Sequence, residues 1–141
     1  MIFSVKSNER LNTCHKDLQL IFREALKHTF IDFGIAEGHR SILRQRELYE
    51  QGLSQIDGFT KRSNHNYTPS MAVDIYAFVN GKANYDQYNL CYLAGVILET
   101  AKRLFEEGKV KYELRWGGNW GKWKSGCNHL GFVDMVHFEL I

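Results

Sequence analysis

Apolar residues in the first third of the chain recur at helical spacing. Leu11, Leu18, Ile21, Phe22, Ala25 and Leu26 fall on one side and Arg23, Glu24 and Lys27 on the other, which predicts a helix from about Asn12. FIDFGIAEG then alternates Ile31, Phe33 and Ile35 against Phe30, Asp32 and Gly34, the period of a strand. ILRQRELYEQG predicts a short helix closed by Gly52. From Leu53 to about Ser70 the chain reads as loop, and MAVDIYAFV as a strand followed by the turn dipeptide Asn80-Gly81. In DQYNLCYLAGVILETAKRLFEEG, Leu90, Ala94, Ile97, Ala101, Leu104 and Phe105 share one stripe and Gly108 supplies a stop, so a second long helix is expected. YELRW, a loop rich in Gly and Trp, and a closing strand FVDMVHFEL complete the chain. Helices and strands mixed in this order predict a small single α+β domain.

Length and composition narrow the class. A chain of 141 residues can bury one core but hardly two, and no linker or internal repeat divides it, so residues 1–141 are expected to act as one domain. A net charge of +2 without a run of basic residues gives no footprint for nucleic acid. Cys14, Cys91 and Cys127 are odd in number and contain no CxxC pair, which argues against a disulfide framework and for a reducing compartment. MIFSVKSNER lacks the apolar core of a signal peptide, and no stretch approaches the ~18 to 20 apolar residues of a membrane span.

Asp74 stands out inside an apolar run. Period-two geometry puts Met71, Val73, Ile75 and Ala77 on one face and Ala72, Asp74 and Tyr76 on the other. A carboxylate rooted there is partly buried and needs a partner, either an arginine such as Arg40 or Arg115, or a metal. His65 precedes it and His137 lies in the closing strand. Two imidazoles and one carboxylate suit zinc and leave one of four positions open for water, the catalytic arrangement rather than the structural one. Asp134, three residues before His137, can take a proton from that water if it lies in the loop entering the strand or at a bulge, because residues three apart in a regular strand face opposite ways.

In order along the chain, SNH at 63–65, AVD at 72–74 and DMVH at 134–137 resemble the pattern of the zinc peptidases that comprise D-alanyl-D-alanine carboxypeptidases and phage L-alanyl-D-glutamate endopeptidases of the endolysin type. GIAEGHRSILRQRELYEQG, NGKANYDQY and LRWGGNW extend the likeness to roughly residues 15–141. The loop between His65 and Asp74 is longer than usual in that family, and Ser70 occupies a glycine-like place. The resemblance implies an antiparallel sheet carrying a zinc cleft, with two long helices and a short one packed against it. It implies one Zn2+ held by His65, Asp74 and His137, with Asp134 as general base and Arg40 binding a substrate carboxylate or the transition state.

The resemblance also implies a function. The partner is the peptidoglycan stem peptide, met by a monomer without a separate wall-binding domain and without membrane insertion. The phage-lysin likeness, with an acid of aspartate length at Asp134 and no signal peptide, favours the L-Ala to D-Glu bond and an enzyme that waits in the host cytoplasm before lysis. The alternatives are a D-Ala-D-Ala carboxypeptidase and a non-catalytic zinc-containing binding module on the same scaffold. Calcium has little support, because Asp134 is the only acid in GGNWGKWKSGCNHLGFVD. Glu139 is a rival acid on the face of His137, Cys127 and His129 are a second pair of metal-binding side chains, and Trp116, Trp120 and Trp123 are structural candidates, one of which can line the cleft.

Overall fold

The structure, a computed structural model, describes residues 1–120 and 133–141 in full and the backbone of 122–123 and 129–130. Helix α1 (Val5–Leu11) is followed by α2 (Lys16–His28), rather than by the single helix expected from Asn12. The break has a local cause. Ser70 accepts a backbone hydrogen bond from His15 and donates one to Thr13, each of 2.9 Å, so the chain between the helices is committed to the loop that later carries His65. The polar sequence VKSNERL hides α1 from a periodicity argument, since Ser7 and Leu11 are its only buried residues.

Strand β1 (Asp32–Glu37) leads to α3 (Ile42–Glu50), whose Ser41 cap accepts from the Arg44 amide and whose exit runs through Gly52 at φ 73°. Next, β2 (Ala72–Val79) turns at Asn80 and Gly81, both at positive φ as a tight hairpin requires, into the short β3 (Lys82–Asn84). The long α4 (Gln87–Glu106) is capped by Asp86, which accepts from the amides of Tyr88 and Asn89. The chain closes through β4 (Leu114–Trp116), the paired β5 (Lys122–Trp123) and β6 (His129–Leu130), and β7 (His137–Leu140). Strand β7 is shorter than FVDMVHFEL suggests and begins only at His137.

The main sheet is antiparallel, in the order β1-β2-β7-β4, with β3 extending the β2 hairpin. Helices α2 and α4 pack together over one face. Phe22 sits at the centre, edge-to-face with Phe33 of β1 at 6.3 Å and Phe138 of β7 at 5.5 Å. Val73, Ile75 and Ala77 face the same core, as their alternation predicts. Leu93 completes the buried stripe of α4, whereas Phe105, expected there, is 39% exposed. The opposite face of β2 and β7 is left for polar side chains, and α3 reaches it through Gln45, the only buried residue of that helix.

Because Phe22 joins α2 to two strands and is fully buried, Phe22→Ala is expected to cost about 3 to 5 kcal/mol. Urea unfolding of the metal-free protein measures it. A loss below about 1 kcal/mol would mean that this aromatic cluster is not close-packed.

Candidate active site

Strand register brings the first two side chains together. Asp74 of β2 is the direct neighbour of His137 of β7, so both point from the sheet face that the helices leave open. On the other side of β2, the register shifts between Ile35 and Glu37, and this bulge sets Glu37 opposite Asp74. His65 arrives from the connection. It sits in a single 3-10 turn, Asn64–Asn66, where the Ser63 hydroxyl accepts from the His65 amide and the Asn66 side chain accepts from the Ser63 amide. The turn is locked to the end of β1, since the Arg40 amide donates to the His65 carbonyl at 2.8 Å and Asn66 donates its side-chain amide to the Arg40 carbonyl at 3.0 Å.

Three atoms converge there. His65 Nε2 lies 3.2 Å from Asp74 Oδ1 and 3.2 Å from His137 Nδ1, and the last two are 3.0 Å apart. The outer nitrogens are already committed: His65 Nδ1 donates to the Gly38 carbonyl at 2.7 Å and His137 Nε2 donates to Glu139 Oε1 at 2.8 Å. The inner nitrogens therefore turn lone pairs toward each other and toward a carboxylate oxygen, an arrangement that repels unless a cation sits among them. A tetrahedral ion with ligands at about 2.0 to 2.1 Å sets them about 3.3 Å apart, close to the observed triangle. The outer acceptors are those that orient metal-binding imidazoles. The donor set thus fits a metal ion, and His65, Asp74 and His137 form a possible metal site.

The titration behaviour agrees. Burial works against protonated His137, yet its bonds to Asp74 and Glu139 push its pKa up to about 9. Burial alone would raise the Asp74 value, but His137 and His65 outweigh it and hold the carboxyl well below the usual carboxylate range. In the metal-free chain a proton on His137 supplies the positive charge that the cluster needs.

A cleft of about 710 Å³ opens over this cluster. Arg40 forms part of its lining, with its guanidinium fastened by Nε and Nη2 to the two Glu37 oxygens at 2.7 and 2.8 Å and by Nη1 to Gln45 Oε1 at 2.8 Å. Its Nη2 is also 3.6 Å from Asp74 Oδ2, so Asp74 has both an arginine and the histidines as neighbours. Arg115 pairs instead with Glu139 at 2.7 Å. Asp134 lines the cleft from the turn before β7, where its carbonyl accepts from the His137 amide at 3.3 Å. The strand-parity problem is thereby removed, because Asp134 lies in the entering loop. Gly117 lets that loop dock: its carbonyl accepts from the Asp134 amide, and a Cβ on it would collide with the Asp134 backbone. Burial first, and the charge of Asp74 second, raise the Asp134 pKa.

Glu139, the rival acid, is fully engaged by His137, Asn64 and Arg115, and despite burial His137 and Arg115 hold its pKa down to about 2. The Trp120 ring leans on His137 with centroids 4.9 Å apart, and Trp116 donates its indole N–H to the Met135 carbonyl at 2.8 Å. Cys127 and the side chains of His129 and Trp123 lie outside the described residues, as does most of the loop in which calcium was weighed. Sequence reasoning missed Glu37, Gln45, Gly38 and Gly117. No motif marks them, although a Gln on the polar face of a short helix five residues after Arg40 was a usable signal.

The comparisons with known proteins point the same way. Over 145 aligned residues, the chain is 27% identical to the L-alanyl-D-glutamate peptidase of Escherichia phage T5, covering 99% of this chain and 97% of that protein. It is similar in structure to the Serratia marcescens L-Ala D-Glu endopeptidase ChiX, with a TM-score of 0.76, 29% identity, and coverage of 99% of this chain and 90% of that one. The family described as phage L-alanyl-D-glutamate peptidase matches residues 1–141, and the chain therefore belongs to the phage L-alanyl-D-glutamate peptidases.

Proposed function

We propose that the cleft is a zinc peptidase centre that cuts the L-Ala to D-Glu bond of peptidoglycan stem peptides, with His65, Asp74 and His137 holding one ion. The observation that carries the metal reading is the meeting of two imidazole lone pairs and a carboxylate oxygen within 3.2 Å, with both outer imidazole nitrogens already hydrogen-bonded. A bound zinc ion supplies Lewis acidity and lowers the pKa of a water to about 7. Asp134 takes the proton and returns it to the leaving amine. Burial and the charge of Asp74 shift its pKa upward, in the direction that favours taking a proton, in contrast with Glu139, which His137 and Arg115 hold ionised. Arg40 presents a fixed positive charge beside Asp74 and so favours negative charge developing on the carbonyl oxygen. Among the described residues no helix is long and apolar enough to cross a membrane.

Chelation is expected to abolish release of new D-Glu amines from purified peptidoglycan, and added zinc to restore it. Asp134→Ala should keep stoichiometric zinc yet lose about 10²- to 10⁴-fold in kcat, whereas Glu139→Ala should weaken zinc binding by about 10- to 100-fold. A wild-type rate in Asp134→Ala removes that residue as base, and free D-Ala as the main product removes the endopeptidase reading.

The metal and the proton compete for His137. Its pKa of about 9 means that zinc must displace a proton below that pH, so zinc affinity is expected to rise about tenfold per pH unit up to about pH 9. The metal-free fold behaves in the opposite sense. A folded-state value above the ordinary 6.5 adds stability that is complete below pH 6.5 and is lost as pH rises through about 9. Calorimetric zinc titrations and urea unfolding across this range test both slopes; a zinc affinity independent of pH below 9 contradicts the assignment.

A further inference from the structure

Among the described residues, five cations line the cleft: Arg40, Arg44, Lys61, Arg62 and Arg115. Three are already paired. Arg40 is bound to Glu37, Arg44 lies 3.1 Å from Glu47, and Arg115 lies 2.7 Å from Glu139. Lys61 and Arg62 have no carboxylate partner among the described residues, and the segment 121–132 contains no Asp or Glu that could supply one. They stand exposed on the wall of a cleft whose floor is dominated by committed charges.

That wall is built, although it contains no regular strand or helix. Asp57 Oδ1 accepts from the amides of Phe59 (2.9 Å), Thr60 (2.9 Å) and Lys61 (3.2 Å), and Oδ2 accepts from the Thr60 hydroxyl at 2.7 Å. The Gly58 amide closes the turn on the Lys61 carbonyl at 3.0 Å. Gln45 ties the start of the wall to Arg40: it is fully buried, and its amide nitrogen donates to the Ile56 carbonyl at 2.7 Å and the Ser54 hydroxyl at 2.8 Å. On its other side, Arg62 adjoins Ser63, the cap of the turn that holds His65. The two cations are thus anchored at the backbone between Arg40 and His65.

The substrate supplies a matching charge. A D-Glu residue in a peptide uses one of its two carboxyl groups in the chain and keeps the other free, next to the bond that is cut. Arg40 is the weaker candidate for that group, since three of its five N–H donors are spent on Glu37 and Gln45 and its charge is shared between Glu37 and Asp74. We infer that Lys61 and Arg62 bind the free carboxylate of the D-Glu residue beside the scissile bond and so set the preference of the enzyme for unamidated D-Glu. The inference rests on the endopeptidase reading above and assigns Arg40 to the reacting centre rather than to substrate selection.

The test uses the zinc-loaded full chain and two short N-acylated peptides containing L-Ala followed by D-Glu, one with the free carboxylate and one with that group converted to a primary amide. The wild type is expected to favour the carboxylate about fivefold in kcat/KM, mainly through KM, as suits an exposed charge pair, and to lose most of the preference in high salt. In the double variant Lys61→Met/Arg62→Met the ratio should fall toward one. Asp57→Ala should lose part of it, and Asp57→Asn, which keeps an accepting oxygen, should retain it. No preference in the wild type, or a preference that survives the double variant, overturns the inference. Absence of any new D-Glu amine from either peptide would overturn the endopeptidase reading as well, so the two failures are distinguishable.

Discussion

Two imidazole lone pairs and a carboxylate oxygen are forced to share one small space, and the rest of the site is arranged around that constraint. His65, Asp74 and His137 come from a 3-10 turn and two strands, yet their inner atoms lie within 3.2 Å of one another. Such a cluster is unfavourable without a positive charge, and two charges are available to it: a proton on His137, or a metal ion. The sheet register fixes Asp74 against His137, so the fold itself generates the demand.

Precision then comes from the groups behind the cluster. Gly38 and Glu139 hold the outer nitrogens of the two histidines and fix which nitrogen of each faces inward. Glu139 is itself fixed by Arg115 and Asn64, and Asn64 belongs to the turn that carries His65. One hydrogen-bonded chain thus runs from β4 through β7 to the loop before β2. A side chain on Gly38 would collide with the Arg10 backbone and Thr13, which explains why only glycine fits where β1 ends against α1.

Much of this was legible in the sequence, and the boundary is physical. Alternation in MAVDIYAFV gave the correct faces of β2, because a buried face constrains every second residue. Helical spacing found α2, α3 and α4 but misplaced Phe105, since the end of a stripe is where its phase is weakest. The short α1 escaped because it buries only two residues, one of them a serine whose hydroxyl accepts from the Ile35 amide. The five candidate residues that Arg40 and the ordered SNH, AVD and DMVH segments supply all line one cleft. Periodicity could not show that Arg40 is fastened to Glu37 and Gln45. That depends on a bulge between Ile35 and Glu37 that no residue pattern announces.

Among the described residues, four carboxylates line the cleft, and their surroundings divide them. Glu37 is occupied by Arg40, Asp74 by the histidines, and Glu139 by His137, Asn64 and Arg115. Asp74 and Glu139 are driven below the ordinary carboxylate range, so neither takes up a proton readily near neutral pH. Asp134 is driven the other way, by burial and by the charge of Asp74, and it stands on a loop that Gly117 holds over the same cluster. When neighbouring acids are pushed apart in this manner, the one with the raised value is the natural proton carrier and the others are electrostatic framework. What its three neighbours have already been used for thus supports the proposed role of Asp134.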